Sequence, residues 1–185
     1  MGMLHLRSRC LATAAGALAL FGFALAGCSA VTTGSYLNTQ VEFRPHVTFG
    51  WGAADQTPTG DPRLDNNPFF NNRVRAEVER GLTARGYVLV PSGTPDLMVH
   101  IHTNVIQEID SQQIDQQYCA DNGCGPSVYD AGTLVVDLVD TATGRLVWRG
   151  WADSALGELI NNQPAMEQRI DESVVRILKR LPSRL

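Results

Sequence analysis

Two small groups of side chains carry atoms able to do chemistry. Cys119 and Cys124 are separated by Ala120-Asp121-Asn122-Gly123 and followed by Gly125. A pair so spaced could close a disulfide, supply half of a metal site or serve as reactive thiols. His100 and His102 are two apart, so on a strand they share one face. A closed metal site needs about four ligands, and nothing in the spacing brings that face under the cysteine loop. No metal site is expected, and no cofactor is called for. A Cys-His hydrolase acting on the cell wall would need a thiolate near a helix N-terminus and an oriented histidine. Both cysteines stand instead in a Gly/Asn turn suited to their oxidation to each other, a closure worth about 2 kcal/mol on the chain-entropy account. The chain has no GxSxG, HExxH or phosphate-cradling glycine loop, so no catalytic residue is assigned.

The third reactive group is Cys28, at the end of Leu25-Ala26-Gly27-Cys28. Arg7 and Arg9 precede an uncharged run of Leu, Ala, Phe and Gly from about Leu11 to Leu25. That run is shorter than the roughly 20 residues that span a bilayer. The pattern is that of a secretory signal ending in a bacterial lipobox. Residues 1–27 are expected to be removed and Cys28 acylated. Each buried methylene of an acyl chain is worth about 0.8 kcal/mol, and two or more chains hold a protein where one is reversible. Ser29 follows the cysteine where an Asp would signal retention at the inner membrane. The expected location is therefore the periplasmic face of the outer membrane.

The elements that would position these groups lie beyond the anchor. The signal takes with it two of the fifteen Lys and Arg residues and none of the nineteen Asp and Glu, leaving a net charge of −6. An acidic domain has no electrostatic reason to bind nucleic acid. Residues 28–40, rich in Ser, Thr, Gly and Asn, have the composition of a flexible tether. Residues 41–185 make one domain, and a domain near this size buries about 68–70% of its unfolded surface.

Val41 to Trp51 reads as a first strand interrupted by Pro45, and Ala53 to Pro68 as a loop. Val74, Val78 and Leu82 give one face to a helix near Asn71 to Arg85, with Gly86 at its end. Short Tyr87 to Val90 and long Asp96 to Gln112 follow as strands; Leu97, Val99, Ile101, Thr103 and Val105 alternate with Met98, His100, His102 and Asn104. Thr133 to Asp140 and Leu146 to Asp153 form a hairpin turning at Gly144. Met166, Ile170, Val174, Ile177, Leu178 and Leu181 line a last helix after Pro164. The expectation is an α+β domain with a mostly antiparallel sheet of four to five strands and two helices on one face.

Several of these stretches together resemble the DUF4136 family of bacterial envelope lipoproteins. They are Asn67-Pro68 with the helix through Arg73-Val74-Arg75-Ala76-Glu77-Val78 to Gly86-Tyr87, Pro95-Asp96-Leu97-Met98-Val99, and Gly132 to Asp140. The most specific is Thr143-Gly144-Arg145-Leu146-Val147-Trp148-Arg149-Gly150-Trp151-Ala152. The likeness covers most of Phe43 to Pro182 and implies a lipidated outer-membrane protein with a small mixed domain. It brings no activity, substrate or catalytic residue. Tyr118 to Pro126, which holds both cysteines, departs from it.

One further group suits recognition rather than catalysis. Trp148 and Trp151 are three apart, so on a strand they point to opposite faces, Trp148 to the core and Trp151 outward. Trp151, Arg149 and Val135 then form a patch for an envelope partner, since Trp and Arg are enriched at binding hot spots. The competing readings are a small-molecule or glycan binder, using the space between the Gln113–Asp130 loop and the sheet, and the cysteine hydrolase. Thiol labelling of the periplasmic protein without reductant is expected to find Cys119 and Cys124 blocked; labelling of either one would restore the hydrolase.

Overall fold

The computed structural model describes residues 31–65, 67–109 and 128–182. Cys28, Ser29, Cys119 and Cys124 lie outside the described residues, as does most of the Gln113–Asp130 loop. The strands are β1 (Thr32–Leu37), β2 (Thr48–Trp51), β3 (Val88–Leu89), β4 (Leu97–Ile109), β5 (Val128–Asp140) and β6 (Leu146–Ala155). Helix α1 (Pro68–Thr83) joins β2 to β3, and α2 (Gln163–Leu178) closes the domain. The fold is α+β with one six-stranded sheet of order β1-β6-β5-β4-β2-β3.

This sheet differs from the expected one in two ways. It has six strands, because residues 32–37, which composition assigns to a tether, form β1 antiparallel to β6 from Thr32↔Asp153 to Leu37↔Trp148. An edge strand with one sheet neighbour can carry Thr, Gly and Ser, since much of it faces water. The sheet is also mixed, because β2 runs parallel to both β3 and β4. A helix of 16 residues separates β2 from β3, long enough for the crossover that parallel pairing demands. Val41 to Val47 contributes no strand. There Phe43 packs edge-on against Tyr87, with 6.3 Å between ring centroids.

Strand parity places the core. Leu97 and Val99 of β4, Leu134, Val136 and Leu138 of β5, and Trp148 and Ala152 of β6 are buried with Val74, Val78 and Leu82 of α1 and Ile170, Val174, Ile177 and Leu178 of α2. Both helices therefore cover the same face. The two start alike: Asn67 caps α1 by accepting from the Phe69 and Phe70 N–H groups, and Asn162 caps α2 by accepting from Ala165, each with a proline in the first turn. A bidentate pair ties them together, Arg73 donating to Asp171 at 2.9 and 2.5 Å. Gly86 takes the left-handed conformation at φ 85°, which lets the chain leave α1 for β3.

One irregularity redirects side chains. Pairing of β5 with β6 runs regularly to Leu138↔Trp148 and resumes at Val139↔Leu146, leaving Val147 as the extra residue of a bulge. Val147 and Trp148 are consequently both buried, while Leu146 is only partly so. Simple alternation from Trp148 would have sent Val147 outward. Trp148 fills the space over Gly150, where a Cβ would overlap the indole and meet Ile177.

The far end of the sheet is closed by polar clamps. Buried His46 faces the Asp140 carboxylate through Nε2 at 2.7 Å and the Phe43 carbonyl through Nδ1 at 3.1 Å. Asp96 accepts from the Val47 and Thr48 N–H groups, each at 2.8 Å. Hydrogen bonds from the Thr143 hydroxyl and His46 hold Asp140 down from its ordinary 3.8 to about 2. A lowered carboxylate contributes stability that is complete above the unfolded pKa and lost as the pH falls through the folded one. Unfolding followed by circular dichroism should therefore show stability falling between about pH 4 and pH 2. Asp140→Asn should cost about 1.5–3 kcal/mol at neutral pH and flatten that acid limb; an unchanged limb would remove Asp140 from the account.

Candidate functional site

With both helices on one side, the other face of β1, β6, β5 and β4 has no helix over it. Register lines up its side chains in rows. One row runs Tyr36, Arg149, Asp137 and His100 across the four strands, and the next runs Gly34, Trp151, Val135 and His102. The structure therefore brings together all three residues of the sequence-derived patch. Val135 is the direct cross-strand neighbour of Trp151, and both are half-buried. Arg149 is exposed one position along, beside Tyr36 at 53% exposure.

The sheet face is built so that Trp151 lies down on it. A Cβ on Gly34 would overlap the six-membered ring of the indole, so only glycine at this place in β1 leaves room for the ring. His100 covers Gly52 in the same way. Laying an aromatic over a strand glycine recovers packing that the glycine lacks.

Electrostatics fix the other half. Asp137 is only 4% exposed although no helix covers it. Arg149 donates to it through Nε and an Nη at 2.7 and 2.6 Å, a fork that matches the carboxylate. His102 Nε2 stands 3.6 Å from Asp137, and its Nδ1 is 2.7 Å from Asp55. Asp55 is held down to about 2, first by the Thr57 N–H and then by the His102 ring. The resulting line Arg149–Asp137–His102–Asp55 crosses β6, β5 and β4 and reaches the loop after β2. Farther along, Thr133 donates to Asp153 at 2.7 Å.

Sequence reasoning placed Trp151, Arg149 and Val135 but missed Tyr36, Asp137 and Asp55. Tyr36 was hidden in the supposed tether. Asp137 stood in plain view within Asp137-Leu138-Val139-Asp140, but its partners become visible only when register is known. His100 and His102 do share a strand face. Among the described residues, no three His, Cys, Asp or Glu side chains converge as metal ligands.

Concave sites are modest by comparison. A cavity of about 120 Å³ lies between β4, α1 and the loop after β2, lined by Trp51, Asp55, Asn71 and Arg75. Trp51 there donates to Glu79 at 2.6 Å and lies under the Arg75 guanidinium, 4.2 Å from the ring centroid. This is below the roughly 300 Å³ at which ligand pockets begin. An open groove of about 310 Å³ is lined by His46, Asp96 and Asp140, whose polar atoms already hold the clamps at that end. The sequence-derived binding space under the Gln113–Asp130 loop lies largely outside the described residues.

The comparisons with known proteins agree on architecture. Among solved structures, a PDZ domain protein from Parabacteroides distasonis is similar at 16% identity and a TM-score of 0.52, over 82% of this chain and 36% of that one. This chain thus spans about a third of that protein. The PelC dodecamer from Paraburkholderia phytofirmans is similar at 11% identity and a TM-score of 0.48, over 84% of this chain and 100% of that one. A DUF4136 family protein from Bacteroides thetaiotaomicron follows at 11% identity and a TM-score of 0.47, over 79% of this chain and 95% of that one. No curated protein matches. At these identities the likeness is one of fold alone. The profile of DUF4136, a domain of unknown function, matches residues 34–183, and the chain belongs to that family.

Proposed function

We propose that this protein is a lipid-anchored, non-enzymatic module of the bacterial envelope that docks another envelope protein on its open sheet face. The observation that supports it best is the Trp151 platform. A large aromatic is held flat over Gly34, flanked by Val135, Tyr36 and an arginine already oriented by Asp137. Rigid aromatic and arginine anchors that lose little freedom on binding are the groups that carry protein interfaces. The carboxylates of Asp55 and Asp153 near the rim, with the overall acidity of the chain, suit a partner with a basic margin.

The anchor rests on the Leu25-Ala26-Gly27-Cys28 lipobox and the apolar run before it. With diacylglycerol on its sulfur and a further chain on its amine, Cys28 would hold the domain stably at a bilayer. Ser29 supports export to the outer membrane.

Two experiments test the two halves. Cys28→Ser should move the protein from the membrane to the soluble fraction and remove the acyl mass from the chain; continued membrane attachment would refute the lipobox. A photo-crosslinking side chain at position 151 should capture one envelope protein in living cells, and Tyr36→Ala or Val135→Asp should cut the yield about tenfold, as the loss of a hot-spot contact of about 1.4 kcal/mol would. The same probe at exposed Ala142, on the distant hairpin, is the control. Equal products from both positions would sink the docking face.

A further inference from the structure

The ladder of β4 and β5 outruns its neighbours at one end. β1 begins at the rung Thr32–Asp153–Thr133–Asn104, and β6 ends at Ala155 opposite Ala131. β4 and β5 continue as a two-stranded arm to Ile109↔Val128. Five residues beyond the Thr32 rung, at about 3.4 Å each, put the tip about 17 Å past it.

The same end is where the chain arrives from Cys28. Only Ser29, Ala30 and Val31 separate that cysteine from Thr32. Val31 is buried at 5% exposure in the core, and its carbonyl accepts from Arg176. Even fully extended, the four steps from Thr32 back to Cys28 span at most about 14 Å. The arm therefore reaches at least as far as an acylated Cys28 can. The two are three strands apart, about 14 Å sideways at the spacing of a sheet.

The arm is also unusual in what it shows to solvent. Ile106, Ile109 and Val128 are 49%, 58% and 54% exposed. Ile109 and Val128 are cross-strand partners, and Ile106 lies on the opposite face of the arm, so apolar surface surrounds the tip rather than marking one side. Tyr129 sits among them with its hydroxyl donating to Glu108 at 2.7 Å, an apolar ring with a polar end suited to the level of lipid headgroups. Glu108 and Asp130 make the arm acidic, so attraction to anionic headgroups is not what draws it to a membrane.

From this geometry we infer that the β4–β5 arm is a second membrane contact, its tip entering the lipid headgroup layer beside the acyl chains of Cys28. The inference rests on the lipid-anchor reading proposed above. Two contacts fix orientation where one does not. The strands then stand steeply on the membrane, and the hairpin at Gly144 points away from it into the periplasm. The Trp151 face looks sideways, open to a neighbour on the same bilayer.

The test uses the full chain, exported, processed and purified in detergent, with Cys119→Ser and Cys124→Ser to silence the native thiols. Ile109→Cys, Val128→Cys and Ala142→Cys each receive a nitroxide label, and the proteins are reconstituted into vesicles of phosphatidylethanolamine and phosphatidylglycerol. Labels at 109 and 128 should gain collisions with oxygen and lose collisions with a water-soluble nickel chelate by about fivefold relative to the label at 142. Protein that floats with the vesicles but shows the same aqueous environment at all three positions overturns the arm contact and leaves the anchor standing. Protein that does not float overturns the anchor and the arm contact with it. Labels placed at both 109 and 128 guard against one substitution disturbing the strand.

Discussion

The pairing of β4 with β5 is the constraint on which everything else depends. Thirteen consecutive residue pairs, from Leu97↔Asp140 to Ile109↔Val128, run without a break in register. Side chains alternate with a period of two, so one slip anywhere would exchange the buried and open faces of both strands at once. The apolar residues forbid that slip: Leu97, Val99 and Val105 on one strand, and Leu134, Val136 and Leu138 on the other, must all point to the helices. Once they do, Met98, His100, His102 and Asn104 have to face the other way, with Val135 and Asp137 beside them. The Trp151 platform is thus a consequence of the core as much as a feature in its own right.

A bare sheet face invites aggregation unless its apolar groups are broken up. Here each large side chain is held by a specific neighbour. Trp151 rests on Gly34, His100 on Gly52, and Arg149 on Asp137. The Asp137 carboxylate is buried by its partners rather than by a helix, and truncating Arg149 would leave it both desolvated and unpaired. The arginine head stays half exposed while its fork is fixed. A surface of this kind loses less conformational freedom on meeting a partner than one of loose side chains would.

The sequence made the long elements legible because their patterns are redundant. Four or five alternating apolar residues in β4 and in β5, and a stripe at helical spacing in α2, each outvote any single exception. Where one residue decides, the pattern falls silent. The bulge at Val147 shifts two side chains without leaving a mark in Leu146-Val147-Trp148, which is apolar throughout. The parallel placement of β2 beside β4 depends on a crossover through α1, which local alternation does not encode. Of the site, Trp151, Arg149 and Val135 could be grouped from strand parity, whereas Asp137, Asp55 and His102 meet only through register and a loop. Cys119 and Cys124 drew attention by their chemistry, but the described part of the domain closes its core and its open face without them.

The polar strand β1 shows why composition misleads at an edge. Thr32, Thr33, Gly34 and Ser35 have little apolar surface to bury, and an isolated strand of this kind would not hold its place. It is held from both sides. β6 supplies the backbone ladder, while α2 reaches across, with Arg176 donating to the Val31 carbonyl at 3.3 Å and Arg180 to the Thr33 hydroxyl at 2.9 Å. These arginines stand at the C-terminal end of the helix, where positive charge is favoured by its dipole. They partner groups of a strand that has a sheet neighbour on only one side. The glycine that weakens β1 as a strand is the one that admits Trp151. Edge strand, helix end and open face are therefore a single arrangement. A chain fastened this firmly from Val31 onward leaves few residues free between the domain and the lipobox cysteine.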